Sequence, residues 1–199
     1  MEKKYAYYIS LFLYALKGKS VVLKYNLFRY VYIFNVSTEY LVGNELINED
    51  VIIDKELGLA NSTELTSALN ELNKREYVTV QGSKIIINEA LIGYIDTIKS
   101  TSEKVKHDLN NIMYFVNIVA QYNEDVILSA FFNEPNIEDA ISRNKKNISL
   151  NNNQLKKMLE EFEKASSINK DINIEKYDVF TAWLDYIFEE YLKEKKLDE

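Results

Sequence analysis

Apolar residues at the start of the chain recur at the spacing of an α-helix, namely Tyr8, Ile9, Phe12, Leu13 and Leu16. Gly18 is suited to end that helix. From Val22 to Tyr32 the apolar positions continue with little interruption, which is typical of a helix that is buried on more than one side. The pattern therefore predicts two packed helices, followed by a further short turn at Ser37–Tyr40.

The segment from Asp54 to Asn88 has the order helix, helix, β-hairpin. Asn61 is placed to cap a helix with Glu64 as its capping-box partner, and one face of that helix carries Leu65, Leu69 and Leu72. The period then changes from 3.6 to 2 in residues 77–80 and 85–87, which flank Gln81-Gly82-Ser83. This order is that of a winged helix, and the apolar triplet at residues 51–53 is predicted to add an edge strand to the wing.

The second half of the chain has mainly helical periodicity. Apolar residues spaced by three and four predict a long helix from Glu89 to Val119 with a break near Ser100–Ser102. Further helices are predicted before Pro135, after an Asn136 cap, at residues 154–165, and from Tyr177 onward. Residues 142–153 are rich in Asn and Lys and are predicted to form a mobile loop or linker.

These elements predict a mainly α fold with a small β-hairpin or sheet. The expected division is a winged-helix-like domain at residues 1–99 and a helical C-terminal region at residues 100–199. At 199 residues, 47% of them hydrophobic, the chain can bury a substantial core.

Composition changes this picture chiefly through charge. The formal net charge of −7 argues against a protein whose affinity comes mainly from neutralising many phosphates. There is no cysteine, which excludes disulfides and thiolate chemistry and favours a cytoplasmic location. The apolar run from Tyr5 to Leu16 is too short to span a membrane and lacks a signal-peptide cleavage pattern, so no membrane association is expected.

The chemistry-bearing residues do not form a recognisable catalytic pattern. His107 is the only histidine, and no phosphate-binding loop or nucleophile elbow accompanies it. Acidic pairs occur, for example at Glu124-Asp125. Adjacent carboxylates on a helix point apart, so a solvent-exposed helix face is a better interpretation than a metal site. We therefore expect a non-enzymatic protein with no catalytic residue, cofactor or metal site. A divergent nuclease is the least favoured reading.

A winged helix is most often used to bind DNA, and the candidate nucleic-acid contacts here are Lys74, Arg75 and Lys84. Acidic residues at positions 64, 71 and 76 offset these cations. The charge balance therefore favours a winged helix that contacts protein, with DNA as the alternative.

The first half of the chain resembles the middle components of bacterial ABC-three-component systems, which include the small accessory subunits of Lamassu-type defence operons. The similarity lies in the segments YAYYISLFLYALKGK, KYNLFRYVYIF, IIDKELGL and ELTSALNELNKREYVTVQGSKIIIN. The resemblance implies partners encoded nearby: an SMC-like coiled-coil ATPase and an effector, often a nuclease, that act against phage or plasmids. DNA contact is then expected only through the complex. The family offers no signature catalytic residues to transfer to this chain.

The sequence is compatible with two functions. The leading one is an accessory or adaptor subunit that links the ATPase to its effector, with a candidate interface at the aromatic cluster Tyr177, Phe180, Trp183 and Phe188. Packing of that cluster in the core is an equally good reading. The alternative is a winged-helix transcriptional regulator that binds DNA as a dimer.

Overall fold

The computed structural model describes residues 2–166 and 174–197, and the fold is mainly helical with two small sheets. The helices are α1 (Glu2–Ala15), α2 (Lys24–Leu41), α3 (Ser62–Lys74), α4 (Glu89–Thr101), α5 (Glu103–Val119), α6 (Glu124–Phe132), α7 (Pro135–Ser142), α8 (Gln154–Ser166) and α9 (Lys176–Leu197). The strands are β1 (Val22–Leu23), β2 (Asp50–Asp54), β3 (Leu59–Ala60), β4 (Val78–Gln81), β5 (Lys84–Ile87) and β6 (Asn147–Ser149), and a 3₁₀ turn occupies Leu150–Asn152. The predicted fold class is confirmed.

The chain divides into two compact units. Unit 1 comprises Met1–Phe34 with Leu59–Gln121, and unit 2 comprises Asn35–Gly58 with Tyr122–Glu199. This division differs from the expected one at residues 99 and 100. The reason is that α5 packs against α1 and α4 and so belongs with the N-terminal helices.

Unit 1 is built around α1, which packs on α3, α4 and α5. Phe12, Phe34 and Phe115 form a buried cluster with ring centroids 5.2–6.1 Å apart in edge-to-face geometry. Buried tyrosine hydroxyls find polar partners at the edge of this core: the Tyr14 hydroxyl lies 2.6 Å from Oδ1 of Asp96. The strongly apolar α1 is thus a core helix, as its sequence pattern predicts.

The β-hairpin is confirmed, but its third strand is not the predicted one. Strands β4 and β5 pair antiparallel, and β5 also pairs with β1 through Val22 opposite Ile85. Val22 and Leu23 were expected to be helical; instead α2 begins at Lys24. The triplet at residues 51–53 lies in β2, which pairs with β6 through Val51 opposite Ile148, so its assignment to the wing is wrong.

Two predicted helix starts are also corrected. Asn61 precedes α3, but its backbone is left-handed (φ 49°) and its side chain donates to the Tyr5 hydroxyl at 2.7 Å instead of capping the helix. At α7 the cap is Glu134, which accepts from two backbone N–H groups, while Pro135 is the first helical residue and Asn136 the second.

Unit 2 contains the remaining differences from the sequence-based prediction. Residues 37–40 continue α2 and include the buried Ser37, Thr38 and Tyr40, so no new turn begins there. Residues 142–153, expected to be a mobile loop, contain β6 and the 3₁₀ turn. In unit 1, the predicted break in the long helix is confirmed at Ser102, whose side chain accepts from Val105 N–H at the start of α5.

A buried polar network joins the segments of unit 2. Glu134 Oε1 accepts from the backbone and side-chain nitrogens of Asn136 at 3.1 and 2.6 Å, and its Oε2 accepts from Ile137 N–H at 3.1 Å. Asn136 Nδ2 also donates to Asn153, whose own Nδ2 donates to the Val36 carbonyl at 2.6 Å. The network therefore ties α2, α7 and the start of α8 together.

Candidate functional site

The aromatic cluster of α9 divides between the core and the surface. Phe180 is 0% exposed and Trp183 is 5% exposed, so these two side chains belong mainly to the core of unit 2. Tyr177 and Phe188 are half-buried. The candidate interface residues thus do not form one exposed patch, and of the four only Trp183 lines the groove described next.

A groove of about 790 Å³ runs between α7, α8 and α9, and we call it the α7–α9 groove. It is lined by Asn133, Pro135, Glu138, Met158, Phe162, Ser166, Ile174, Asp178, Val179, Ala182, Trp183, Tyr186, Ile187 and Glu190. Its most exposed aromatic side chains are Phe162 at 53% and Tyr186 at 61%. Neither was predicted to be an interface residue; Phe162 was assigned from the sequence to the apolar side of its helix, together with Leu155 and Leu159.

The α9 side of the groove is one continuous helical face. Its lining residues run from Asp178 to Glu190 at spacings of one, three and four. At 1.5 Å per residue, that interval corresponds to about 18 Å of helix, or roughly three turns. The groove therefore has the length and the apolar floor that accommodate a short amphipathic helix.

The charged residues that line the groove in the described part of the chain are all acidic. Its charged lining residues within the described chain are Glu138, Asp178 and Glu190, with no Lys or Arg among them. Three carboxylates around an apolar floor favour cationic groups at the ends or edges of a bound segment.

Hydrogen bonds hold α9 in position beside this groove. The Tyr122 hydroxyl donates to Asp185 at 2.6 Å, and the Tyr191 hydroxyl donates to Asp125 at 2.9 Å. Burial and the hydrogen bond to Asp185 raise the pKa of the Tyr122 hydroxyl well above its usual range. The Tyr122 hydroxyl therefore keeps its proton, and remains a hydrogen-bond donor, to a higher pH than an ordinary tyrosine does.

The candidate nucleic-acid contacts lie in unit 1 at two places. Lys74 and Arg75 lie at the C-terminal end of α3, where both line a cleft of about 700 Å³. Arg75 pairs with Glu71 at 2.9 Å. Lys84 is exposed at the start of β5, next to the hairpin turn, and is not among the residues lining that cleft.

Charge is strongly segregated between the two units. Unit 1 carries 12 Lys and Arg against 8 Asp and Glu, for a net charge of +4. Unit 2 carries 12 Lys and Arg against 23 Asp and Glu, for a net charge of −11. The whole-chain value of −7 hides a basic unit, because the two units interleave in sequence and no simple cut of the chain separates them.

Within 2–166 and 174–197, no three His, Asp or Glu side chains converge in a way that could hold a metal ion. His107 is an exposed residue, with Asp108 Oδ1 3.7 Å from its Nδ1. In the same residues, no helix has both the length and the apolar character needed to cross a membrane.

Comparisons of the chain with protein-family models, curated proteins and solved structures find no match. The resemblance to ABC-three-component middle components stays a prediction that rests on the four segments quoted above. Two surfaces of the chain bear on its function, namely the acidic α7–α9 groove and the basic cleft beside α3.

Proposed function

We propose that this protein is a non-enzymatic adaptor subunit that binds a partner protein through the α7–α9 groove. The observation that supports this best is the exposure of Phe162 and Tyr186 beside an apolar floor with three carboxylates around it. Exposed aromatics at the edge of a well-formed pocket are the usual anchors of protein interfaces. The occupant is an amphipathic helix of about three turns, with apolar residues spaced i, i+3, i+4 and i+7 and with Lys or Arg at its edges.

The sequence resemblance suggests which partner carries that helix. By that resemblance, the partners are an SMC-like coiled-coil ATPase and an effector encoded nearby, in a complex that acts against phage or plasmids. Long coiled-coil proteins are rich in amphipathic helices with charged flanks, which suits an acidic groove. The adaptor links the ATPase to the effector in a bacterial cytoplasmic complex and carries out no chemistry itself.

Co-expression with the products of the neighbouring genes tests this proposal. We expect the chain to co-elute with a coiled-coil ATPase in size-exclusion chromatography at physiological salt, and the complex to weaken as salt rises because the groove is acidic. A chain that elutes alone at every salt concentration, with the co-expressed proteins present and folded, would contradict the proposal.

The alternative function is a winged-helix transcriptional regulator, and the net charge of +4 on unit 1 favours it. Lys74, Arg75 and Lys84 would then contact duplex DNA. We expect a salt-sensitive mobility shift of duplex DNA by the isolated protein, and we expect that shift to be lost when Lys74 and Arg75 are both changed to Glu. Absence of any shift at low salt removes this alternative.

A further inference from the structure

The cleft beside α3 combines aromatic and basic side chains in a way that the adaptor function does not use. We call it the tyrosine cleft. It lies among α1, α3 and α4, and its lining includes Tyr7, Tyr77 and Tyr94 together with Lys3, Lys74 and Arg75. Glu71 is the one carboxylate in the described lining, and it pairs with Arg75.

Two of the tyrosines form a platform. The rings of Tyr77 and Tyr94 are stacked, with centroids 5.1 Å apart and planes inclined by 19°. Tyr94 remains 43% exposed although it is stacked. A fixed aromatic ring with exposed surface is what a nucleobase stacks on, whatever its sequence.

The cations of the cleft are only partly explained by helix stability. Lys74 lies in the last turn of α3, where a cation offsets the helix dipole. Lys3, however, lies in the first turn of α1, where the dipole disfavours a cation and favours an anion. Neither Lys3 nor Lys74 forms an ion pair within the described residues, and both are exposed. An anionic ligand in the cleft would therefore meet two lysines that have no ion-pair partner among the described residues.

We propose that the tyrosine cleft binds single-stranded nucleic acid, with a base stacked on Tyr94 and the neighbouring phosphates held by Lys3 and Lys74. A volume of about 700 Å³ suits a short stretch of strand. Reading duplex DNA would instead require an exposed helix or two-stranded ribbon that enters a groove about 12 Å wide. The proposal does not depend on the α7–α9 groove, which lies in unit 2.

Fluorescence anisotropy tests the proposal on the full chain at low salt. The probe is a labelled oligothymidine of about 15 nucleotides, a length near the usual site size of single-strand binding proteins. We expect the single strand to bind more tightly than a duplex of the same length. Because two lysines supply the phosphate contacts, the logarithm of affinity should fall with the logarithm of salt concentration with a slope of about −1.4.

Five variants locate the site. Tyr94→Ala should weaken binding about 5- to 150-fold, whereas Tyr94→Phe, which keeps the ring, should not. Tyr114→Ala is the matched control, because Tyr114 is 53% exposed in unit 1 and does not line the cleft. Lys74→Glu should weaken binding of the single strand and Lys84→Glu should leave it unchanged.

Three outcomes overturn the proposal: no binding of the single strand at low salt, equal effects of Tyr94→Ala and Tyr114→Ala, or duplex binding that Lys84→Glu weakens as much as Lys74→Glu. The last result would identify a duplex reader. The two proposals can fail independently. Changing both Phe162 and Tyr186 to Asp should abolish partner binding at the α7–α9 groove and leave oligonucleotide binding at the tyrosine cleft intact.

Discussion

Replacing Glu134 with alanine is expected to lower the free energy of unfolding of unit 2 by about 3–5 kcal/mol. Glu134 is fully buried, and its carboxylate accepts from Asn136 N–H, Asn136 Nδ2 and Ile137 N–H. Alanine leaves these donors without that acceptor in a site closed to water, and an unsatisfied buried donor costs about 1–3 kcal/mol. Because domains are stable by only about 5–15 kcal/mol, the loss is a large share of the total.

Glu134→Gln is the matched control for this prediction. Glutamine keeps the size of the side chain and one acceptor oxygen, so we expect a loss of only about 1–2 kcal/mol. Urea unfolding followed by tryptophan fluorescence measures both variants. Trp183 is the only tryptophan and lies buried in unit 2, so the signal reports on that unit. Equal destabilisation by alanine and glutamine would contradict the stabilising role of the hydrogen bonds that Glu134 accepts.

Gly58→Ala is the second substitution with a large expected effect, about 2–4 kcal/mol of destabilisation. Gly58 has a φ of +59°, a left-handed conformation that costs other residues about 1–2 kcal/mol. A β-carbon there would also lie 2.6 Å from Leu128 Cδ1 and 3.0 Å from Phe132 Cε2 on α6. Both side chains would have to move, which adds strain to the backbone cost.

Gly43→Ala separates the two contributions. Gly43 has a φ of +68° but nothing within 4 Å of the added carbon, so only the backbone cost of about 1–2 kcal/mol is expected there. Combining Gly58→Ala with Leu128→Ala should destabilise by less than the sum of the two single changes, because the nearest clash is then removed. The same fluorescence measurement applies. Equal effects at Gly43 and Gly58 would contradict the close approach of this turn to α6.

The helices and the hairpin were predictable because each carries its own periodicity. Leu65, Leu69 and Leu72 mark the buried face of α3, and all three are buried in the structure. Likewise, the glycine between residues 78–81 and 84–87 marks the hairpin turn. These signals come from neighbours in sequence, so no knowledge of tertiary contacts was needed.

The errors concern segments whose structure is set by distant partners. A strand as short as β1 has no period to read, and it forms only because β5 supplies its hydrogen bonds. The triplet at residues 51–53 pairs with a segment nearly 100 residues away, in a stretch whose Asn and Lys content suggested a loop. Asn61 has the right residue type for a cap, but Tyr5 competes for its side chain.

The candidate site was only partly predictable for a similar reason. Helical spacing identified the aromatic side of α9, but it could not show that Phe180 faces the core while Tyr186 faces solvent. Lys74 and Arg75 were predicted as nucleic-acid contacts, but the cleft around them was missed because its lining comes from three helices and Lys3 lies far from Lys74 and Tyr94 in sequence. The whole-chain net charge of −7 also concealed the basic unit 1, because the positive and negative units interleave along the chain.

The central claim is that the α7–α9 groove binds a partner's basic amphipathic helix. Its most direct test compares three forms of the chain, each co-expressed with the neighbouring gene products: the unchanged protein, Phe162→Asp with Tyr186→Asp, and Tyr114→Asp as an exposed-tyrosine control. Each anchor should contribute at least about 2 kcal/mol, so the double groove variant should lose at least about 700-fold in affinity if the two contributions add. We predict a complex with the unchanged chain and the control but none with the folded groove variant. Retention of the complex by the groove variant would contradict the account.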